Sequence, residues 1–123
     1  WNCIDDLKGK KSREVLLAPW AELVREYLVF LQGDTRMMLS RISLGRVHFA
    51  FLDGAHTHAD VCFEFRQIAL HQCPGDIVVF DDYTPGQYPD LVAAVDEICN
   101  HYNYVPEKLF AHFGRGYVVA VKQ

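Results

Sequence analysis

Two short apolar runs, each followed directly by acidic residues, decide the fold class of this chain. Residues 47–52 read VHFAFL and end at Asp53-Gly54, and residues 77–80 read IVVF and end at Asp81-Asp82. Such runs are too short for typical helices, and their unbroken apolar character is typical of strands buried on both faces of a parallel sheet. We therefore expect two neighbouring parallel strands with acids at their carboxyl ends.

Helical patterns separate and follow these two strands. Thr57 and Asp60 form a capping box, with Asp in place of the usual Glu, which predicts a helix start. Pro74-Gly75 ends that segment before the second strand. A second apolar stripe at helical spacing covers residues 91–102. Strand, helix, strand and helix at this spacing predict parallel strands joined by crossover helices.

The remaining segments extend this pattern on both sides. Residues 20–28 have helical spacing behind Pro19, residues 29–31 are predicted to form a short buried strand, and residues 35–43 a short helix. Residues 109–113 and 117–121 flank a glycine pair, which predicts a hairpin. The expected fold class is α/β: a Rossmann-like, mostly parallel sheet flanked by helices, with a carboxyl-terminal antiparallel hairpin strand. We expect residues 1–123 to form one domain.

Composition narrows the function classes. Half of the 123 residues are apolar, 13% are aromatic and the formal net charge is −4, which predicts a packed core and argues against a nucleic-acid partner. No membrane-spanning run or signal peptide is visible, and we expect a cytoplasmic protein. The cysteines lack metal-site spacing and are predicted to be reduced thiols that pack in the core: Cys3, Cys62, Cys73 and Cys99.

Three strand-end acids are the main functional signal. Asp53, Asp81 and Asp82 should converge if the two strands are neighbours, because ligands and loops gather at the carboxyl edge of a parallel sheet. Carboxylates that close repel one another, and a cation such as Mg²⁺, Mn²⁺ or Ca²⁺ would relieve the repulsion. The alternative is that each acid is an ordinary capping or turn residue.

Two histidines near these acids have different expected roles. His56 follows Asp53 by three residues at a helix entrance, where it could act as a general base, or could simply be a capping or solvent-facing residue. His48 lies inside an apolar run and is predicted to be a core histidine.

Longer segments resemble a known family. FLDGAHTHADVCFEF at residues 51–65, PGDIVVFDDY at 74–83 and LVAAVDEI at 91–98 together resemble class I S-adenosylmethionine-dependent methyltransferases. The nearest subgroup is the metal-dependent O-methyltransferases that carry an Asp-Gly-x-His motif, and the resemblance covers about residues 28–123. It implies S-adenosylmethionine as cofactor, a divalent cation, expected to be Mg²⁺, and a small-molecule hydroxyl as acceptor. The charge and the lack of a long apolar run predict no nucleic-acid or membrane partner, and a homo-oligomer stays open.

The resemblance also implies roles for individual residues. His56 matches the catalytic base, and Asp34 beside Gly33 matches the acid near the adenine of the cofactor. Asp5 matches the acid that binds the ribose hydroxyls, and Asp53 is also expected near the cofactor. The implied metal ligands are Asp53, Asp81 and Asp82.

The chain departs from the family pattern at one important place. The glycine-rich loop that should follow the first strand is absent, so we expect the amino-terminal part of the domain, with that strand and loop, to lie outside this sequence. One alternative is therefore a non-catalytic module that keeps the fold. Another is phosphoryl transfer of the haloacid dehalogenase type, for which residues 77–84 show a superficial likeness. That reading requires an acid where this chain has Tyr83.

Overall fold

The computed structural model describes residues 12–111 and 114–123, and the chain divides into two compact units, Trp1–Gln32 and Gly33–Gln123. The first unit contains α1 (Arg13–Leu17), a 3₁₀ turn (Ala18–Trp20) and α2 (Ala21–Tyr27). The second unit contains α3 (Thr35–Leu39), β1 (Phe49–Leu52), α4 (His58–Ala69), β2 (Ile77–Phe80), α5 (Pro89–His101), β3 (Tyr104–Phe110) and β4 (Gly116–Lys122). Among the described residues, no helix combines the length and apolar character that a membrane crossing requires.

The first unit confirms a helix and corrects a strand. Helix α2 occupies most of the predicted segment, and Pro19 lies in the 3₁₀ turn before it. The predicted strand at residues 29–31 is wrong: these residues have no strand pairing, and Val29 is 85% exposed. An apolar run becomes a strand only when a neighbouring strand accepts its backbone hydrogen bonds, and no described strand does so here.

The sheet of the second unit confirms the α/β fold class with its antiparallel carboxyl-terminal strands. The strand order is β1-β2-β4-β3, with β1 and β2 parallel and the other two pairs antiparallel. Thus one described pair is parallel and two are antiparallel. The predicted hairpin is present, but β3 begins earlier, at Tyr104, and β4 lies inside the sheet between β2 and β3. Residues 112 and 113 of the predicted hairpin lie outside the described residues.

The core lies between one face of the sheet and the helices α4 and α5. Val78, Phe80 and Val118 on the sheet are at most 1% exposed, as are Phe65 on α4 and Val95 on α5. The two helix residues, Phe65 and Val95, come from the apolar stripes that the sequence shows, so the stripes define the buried helix faces.

Strand β1 differs from the sequence-based expectation. It begins at Phe49, so His48 precedes it, and His48 is exposed rather than a core histidine. Ala50 faces the core, but Phe49 and Phe51 are 59% and 50% exposed, so the prediction of burial on both faces is wrong for this strand. As the edge strand of the described sheet, β1 has a hydrogen-bonded neighbour on one side only. Cys73 is also exposed, which corrects its predicted core role.

Candidate functional site

The carboxyl ends of β1 and β2 lie side by side, as the sequence predicts. The backbone N–H of Asp81 donates to the carbonyl of Leu52 at 3.0 Å, which brings the two strand ends together. Donor atoms of Asp53, His56 and Asp82 all lie within 4.8 Å of one another. We call these three residues the strand-end cluster.

Asp81 is at the same edge but contacts a different group. Its buried carboxylate accepts from Nε of Arg115 at 3.3 Å and from Nη2 at 2.5 Å, a two-pronged ion pair. The same carboxylate accepts the backbone N–H of Asp82 at 2.7 Å. Its hydrogen bond to Arg115 raises the pKa of the guanidinium. Arg115 therefore already supplies a positive charge to the acids at this edge.

His56 is held on two sides. Its Nε2 lies 3.1 Å from Oδ2 of Asp82, and its ring stacks on Tyr88 with ring centres 4.0 Å apart and 20° between the planes. When Nε2 carries the proton and donates to Asp82, Nδ1 is left as the acceptor nitrogen. Sequence reasoning missed Tyr88. An aromatic residue directly before Pro89 was a weak signal, since loop sequence does not show which ring it will meet.

The loop that carries Asp82 has a constrained backbone. Asp82 has a φ of 56°, a left-handed conformation that is unusual for a residue with a side chain and is often found at functional sites. The next residue, Tyr83, donates its N–H to the carbonyl of Gly116 at 2.9 Å. A Cβ on Gly116 would lie 2.1 Å from the backbone oxygen of Tyr83, so only glycine permits this approach.

The side chain of Tyr83 anchors the same loop to α5. Tyr83 is buried, and its hydroxyl donates to Asp96 at 2.9 Å. Lys108 also donates to Asp96, at 2.9 Å, and its ammonium lies 4.8 Å from the centre of the Tyr83 ring. Position 83 thus serves packing and anchoring. Phosphoryl transfer of the dehalogenase type would need a carboxylate there.

The turn after β1 is packed as tightly. The buried carboxylate of Glu64, on α4, lies against Gly54, where an added Cβ would come within 2.6 Å of Oε1. Thr35, the first residue of α3, donates its hydroxyl to the same oxygen at 2.7 Å. Glu64 therefore connects the start of α3 to the turn that carries Asp53 and His56.

Two of the residues expected near the cofactor, Gly33 and Asp34, lie directly before α3. Asp34 caps α3, and its Oδ1 accepts the N–H groups of Arg36 at 2.9 Å and Met37 at 3.3 Å. Because both N–H groups donate to one oxygen, Oδ2 is the oxygen that could accept from a ligand. Gly33 directly precedes this cap, and Asp5 lies outside the described residues.

Comparisons with known proteins agree with the fold. A family model described as a methyltransferase domain matches residues 3–83. Among solved structures, a Klebsiella pneumoniae protein assigned as an O-methyltransferase matches with a TM-score of 0.66 and 10% identity over 93% of this chain and 60% of its own. The O-methyltransferase from Bacillus cereus in complex with SAH matches with a TM-score of 0.57 and 14% identity over 91% of this chain and 60% of its own.

A third solved structure comes from a Streptomyces species. TomG, an O-methyltransferase from Streptomyces achromogenes involved in tomaymycin synthesis and solved with SAM, matches with a TM-score of 0.52 and 16% identity over 91% of this chain and 59% of its own. No curated protein sequence matches significantly. The chain spans about 60% of the length of the first two structures, and identities this low establish the fold alone. The family match covers most of the chain, and on that basis the chain belongs to the methyltransferase domain family.

Proposed function

We propose that the whole protein transfers the methyl group of S-adenosylmethionine to a hydroxyl group of a small molecule. The observation that carries this proposal is His56, which is oriented by Asp82 and Tyr88 beside Asp53 at the carboxyl edge of the sheet. Ligands bind at this edge in open α/β sheets. The Bacillus cereus and Streptomyces achromogenes structures, which hold SAH and SAM, support the choice of cofactor.

His56 is the proposed general base. When the Nε2–H group of His56 donates a hydrogen bond to Asp82, Nδ1 is unprotonated and can accept the proton of the acceptor hydroxyl. The carboxylate of Asp82 then stabilises the imidazolium that forms, and stacking on Tyr88 limits rotation of the ring. When bound, S-adenosylmethionine would supply the methyl group, which would pass from its sulfur to the acceptor oxygen and give the demethylated cofactor and a methyl ether.

The strand-end cluster has a donor set that fits a hard divalent cation. Asp53 and Asp82 would hold the ion through carboxylate oxygens, the ligands that Mg²⁺ and Mn²⁺ prefer. Asp81 could join them only by giving up its ion pair with Arg115. When bound, the cation would orient the acceptor oxygens and lower the pKa of the attacking hydroxyl.

Four residues are proposed to contact the cofactor. Asp34 offers Oδ2, as described above, and Gly33 precedes it in the chain. Asp53 would bind the cofactor as well as the cation, and Asp5 would bind the ribose hydroxyls. We further propose a cytoplasmic protein with a small-molecule acceptor, either monomeric or homo-oligomeric; the free thiols of Cys62, Cys73 and Cys99 suit a reducing compartment.

The experiment is product analysis with ¹³C-methyl-labelled cofactor. The full-length protein is incubated with Mg²⁺ and a panel of vicinal diols, both catechols and sugars, and NMR identifies labelled O-methyl ethers. Labelled ether is the expected result. Tight calorimetric binding of the cofactor without transfer to any of these hydroxyls would favour the non-catalytic alternative. An absence of cofactor binding would overturn methyl transfer altogether.

A further inference from the structure

A second cluster of donor atoms lies between the helices α4 and α5. Nε2 of His58 lies 3.0 Å from Oε2 of Glu97, and Nδ1 of the same ring lies 3.8 Å from the sulfur of Cys62. Each of the three residues offers one donor atom, and these three atoms lie within 4.8 Å of one another. We call His58, Cys62 and Glu97 the helix-pair cluster. It shares no residue with the strand-end cluster.

The helical frame positions these donors before any ligand arrives. His58 and Cys62 are four residues apart on α4, which places their side chains one above the other on a single face. Glu97 comes from α5, which packs against α4 through the apolar core. The backbone of all three residues is therefore held by helix and core packing, so that only side-chain rotations are needed to bring the donors together.

The helix-pair cluster contains a soft sulfur ligand, whereas the acids of the strand-end cluster offer hard oxygen ligands. A thiolate, an imidazole and a carboxylate are ligands that Zn²⁺ accepts readily, whereas Mg²⁺ prefers oxygen ligands. With Zn–S of about 2.3 Å and Zn–N and Zn–O of about 2.0 Å, tetrahedral ligand atoms are about 3.2–3.6 Å apart. One ion takes only one of the two ring nitrogens of His58, so the separations that count are those among one donor atom per residue, which lie within 4.8 Å. They need to shorten by at most about 1.6 Å, which the half-exposed side chains of His58 and Glu97 can provide.

The arrangement is less well explained as an ordinary surface ion pair. A half-exposed pair such as His58 and Glu97 contributes little to stability and gives no reason for a thiol beside it. Cys62 is 3% exposed, and burial together with the Glu97 charge raises the pKa of its thiol, against the opposing effect of Arg66. A divalent cation would favour the thiolate, and the thiol proton would leave to solvent.

We propose that the helix-pair cluster is a Zn²⁺ site that joins α4 to α5 through three protein ligands and a water molecule. The site takes soft or borderline divalent ions, of which Co²⁺ and Cd²⁺ are useful probes. It does not depend on methyl transfer, so its failure and the failure of the proposed function are separate results.

The test is a Co²⁺ titration of the full-length protein, reduced and free of metal. The expected result is a sulfur-to-cobalt charge-transfer band that saturates at one ion per chain and disappears when Zn²⁺ displaces Co²⁺. Cys62→Ser should abolish the band, and Glu97→Gln should weaken Co²⁺ binding about tenfold or more. The matched controls are Cys99→Ser, a buried cysteine on α5, and Cys73→Ser, an exposed one; both should keep the band.

The unfolding temperature, measured with and without Zn²⁺, tests the site even if Cys62→Ser destabilises the fold. Zn²⁺ should raise the unfolding temperature of the wild type and of Cys99→Ser, and should leave that of Cys62→Ser unchanged, even if the Cys62 variant starts from a lower value. Either of two results would overturn the proposal: a wild-type protein without a charge-transfer band, or a band that persists in Cys62→Ser.

Discussion

The strand-end cluster and the helix-pair cluster use histidines only two residues apart in sequence, but the chain builds them in different ways. His56 lies in a turn, and its partner Asp82 has a left-handed backbone in a loop whose next residue, Tyr83, packs closely against Gly116. His58 lies on a helix, and its partner Cys62 follows at one helical turn. One cluster depends on strand order and loop closure, and the other on helical spacing within α4 and on the packing of α5 against α4. The first should therefore be more sensitive to changes in the loops, and the second to changes at the contact between the two helices.

The two clusters also differ in the charge that surrounds them. Arg115 contacts both Asp81 and Asp82 at the strand ends, so a positive group is already present there. The helix-pair cluster has a carboxylate and a buried thiol, with His58 between them; burial and Glu97 raise the pKa of that thiol, and Arg66 acts to lower it. A hard cation at the first cluster must compete with Arg115, and a soft cation at the second must displace a thiol proton.

The largest expected effect is on catalysis at the strand-end cluster. His56→Ala should lower the rate of methyl transfer by about 10²–10⁴-fold, because the acceptor hydroxyl loses its base, while cofactor affinity stays nearly unchanged. Rate and cofactor affinity are measured by labelled-methyl transfer and calorimetry. His101→Ala, an exposed histidine at the end of α5, is the control and should keep the wild-type rate. Full activity in the His56 variant would remove it as the base.

Loop closure at Gly116 should have the next largest effect. Gly116→Ala places a Cβ against the backbone oxygen of Tyr83 and should reduce the free energy of unfolding by about 3 kcal/mol, as overpacking does. Gly86→Ala, where an added Cβ meets nothing within 4 Å, should change it little. Chemical denaturation measures both. The Gly116 variant should also lose Mn²⁺ affinity at the strand ends while keeping Co²⁺ binding at the helix pair; equal losses would contradict the distinction.

Removal of Arg115 should have a smaller effect of opposite sign on metal affinity. Arg115→Ala leaves the acids without their guanidinium partner, so Mn²⁺ should bind about tenfold more tightly, about 1.4 kcal/mol. Arg115→Lys retains the charge but not the two-pronged geometry, so its Mn²⁺ affinity should lie between those of the wild type and Arg115→Ala. Calorimetric titration with Mn²⁺ measures the change. Weaker binding in Arg115→Ala would mean that Arg115 supports the site instead of competing with the ion.

The smallest expected effect is an alkaline loss of stability through Lys108. Hydrogen bonds with Tyr83 and then Asp96 raise the pKa of Lys108 from 10.5 to about 12. Because the folded-state pKa is the higher one, this stabilisation is complete below pH 10.5 and is lost as pH rises through about 12. Lys108→Met should make the free energy of unfolding fall less steeply as pH rises through this range. Burial raises the pKa of Tyr104 to about 12 as well. The measurement is therefore the difference in unfolding free energy between the variant and the wild type at each pH.

Local patterns made much of the fold predictable. The strand at residues 77–80 was predicted with its observed bounds, and the Thr57 cap is present, with its hydroxyl accepting the N–H of Asp60. The strand predicted at residues 29–31 failed because pairing depends on a neighbour that local sequence does not name. The exposed faces of Phe49 and Phe51 were missed for the same reason.

The candidate site was predictable only in part. The meeting of Asp53 and Asp82 followed from strand-end reasoning, since neighbouring parallel strands bring such residues together. The pairing of Asp81 with Arg115 did not, because it depends on where β4 enters the sheet. His58 and Cys62 had a visible spacing of four residues, but Glu97 lies 39 residues from His58, and only helix packing brings it there.

The requirement for a divalent cation at the strand ends tests the central claim most directly. The measurement is the rate of methyl transfer by the full-length protein as Mg²⁺ is titrated after treatment with a chelator, for the wild type, Asp82→Asn and the control Asp90→Asn. We predict no turnover with chelator, recovery with Mg²⁺ in the wild type and the control, and at least a tenfold higher Mg²⁺ requirement in Asp82→Asn. Full turnover in the presence of chelator would contradict the role of the strand-end cluster as a cation site.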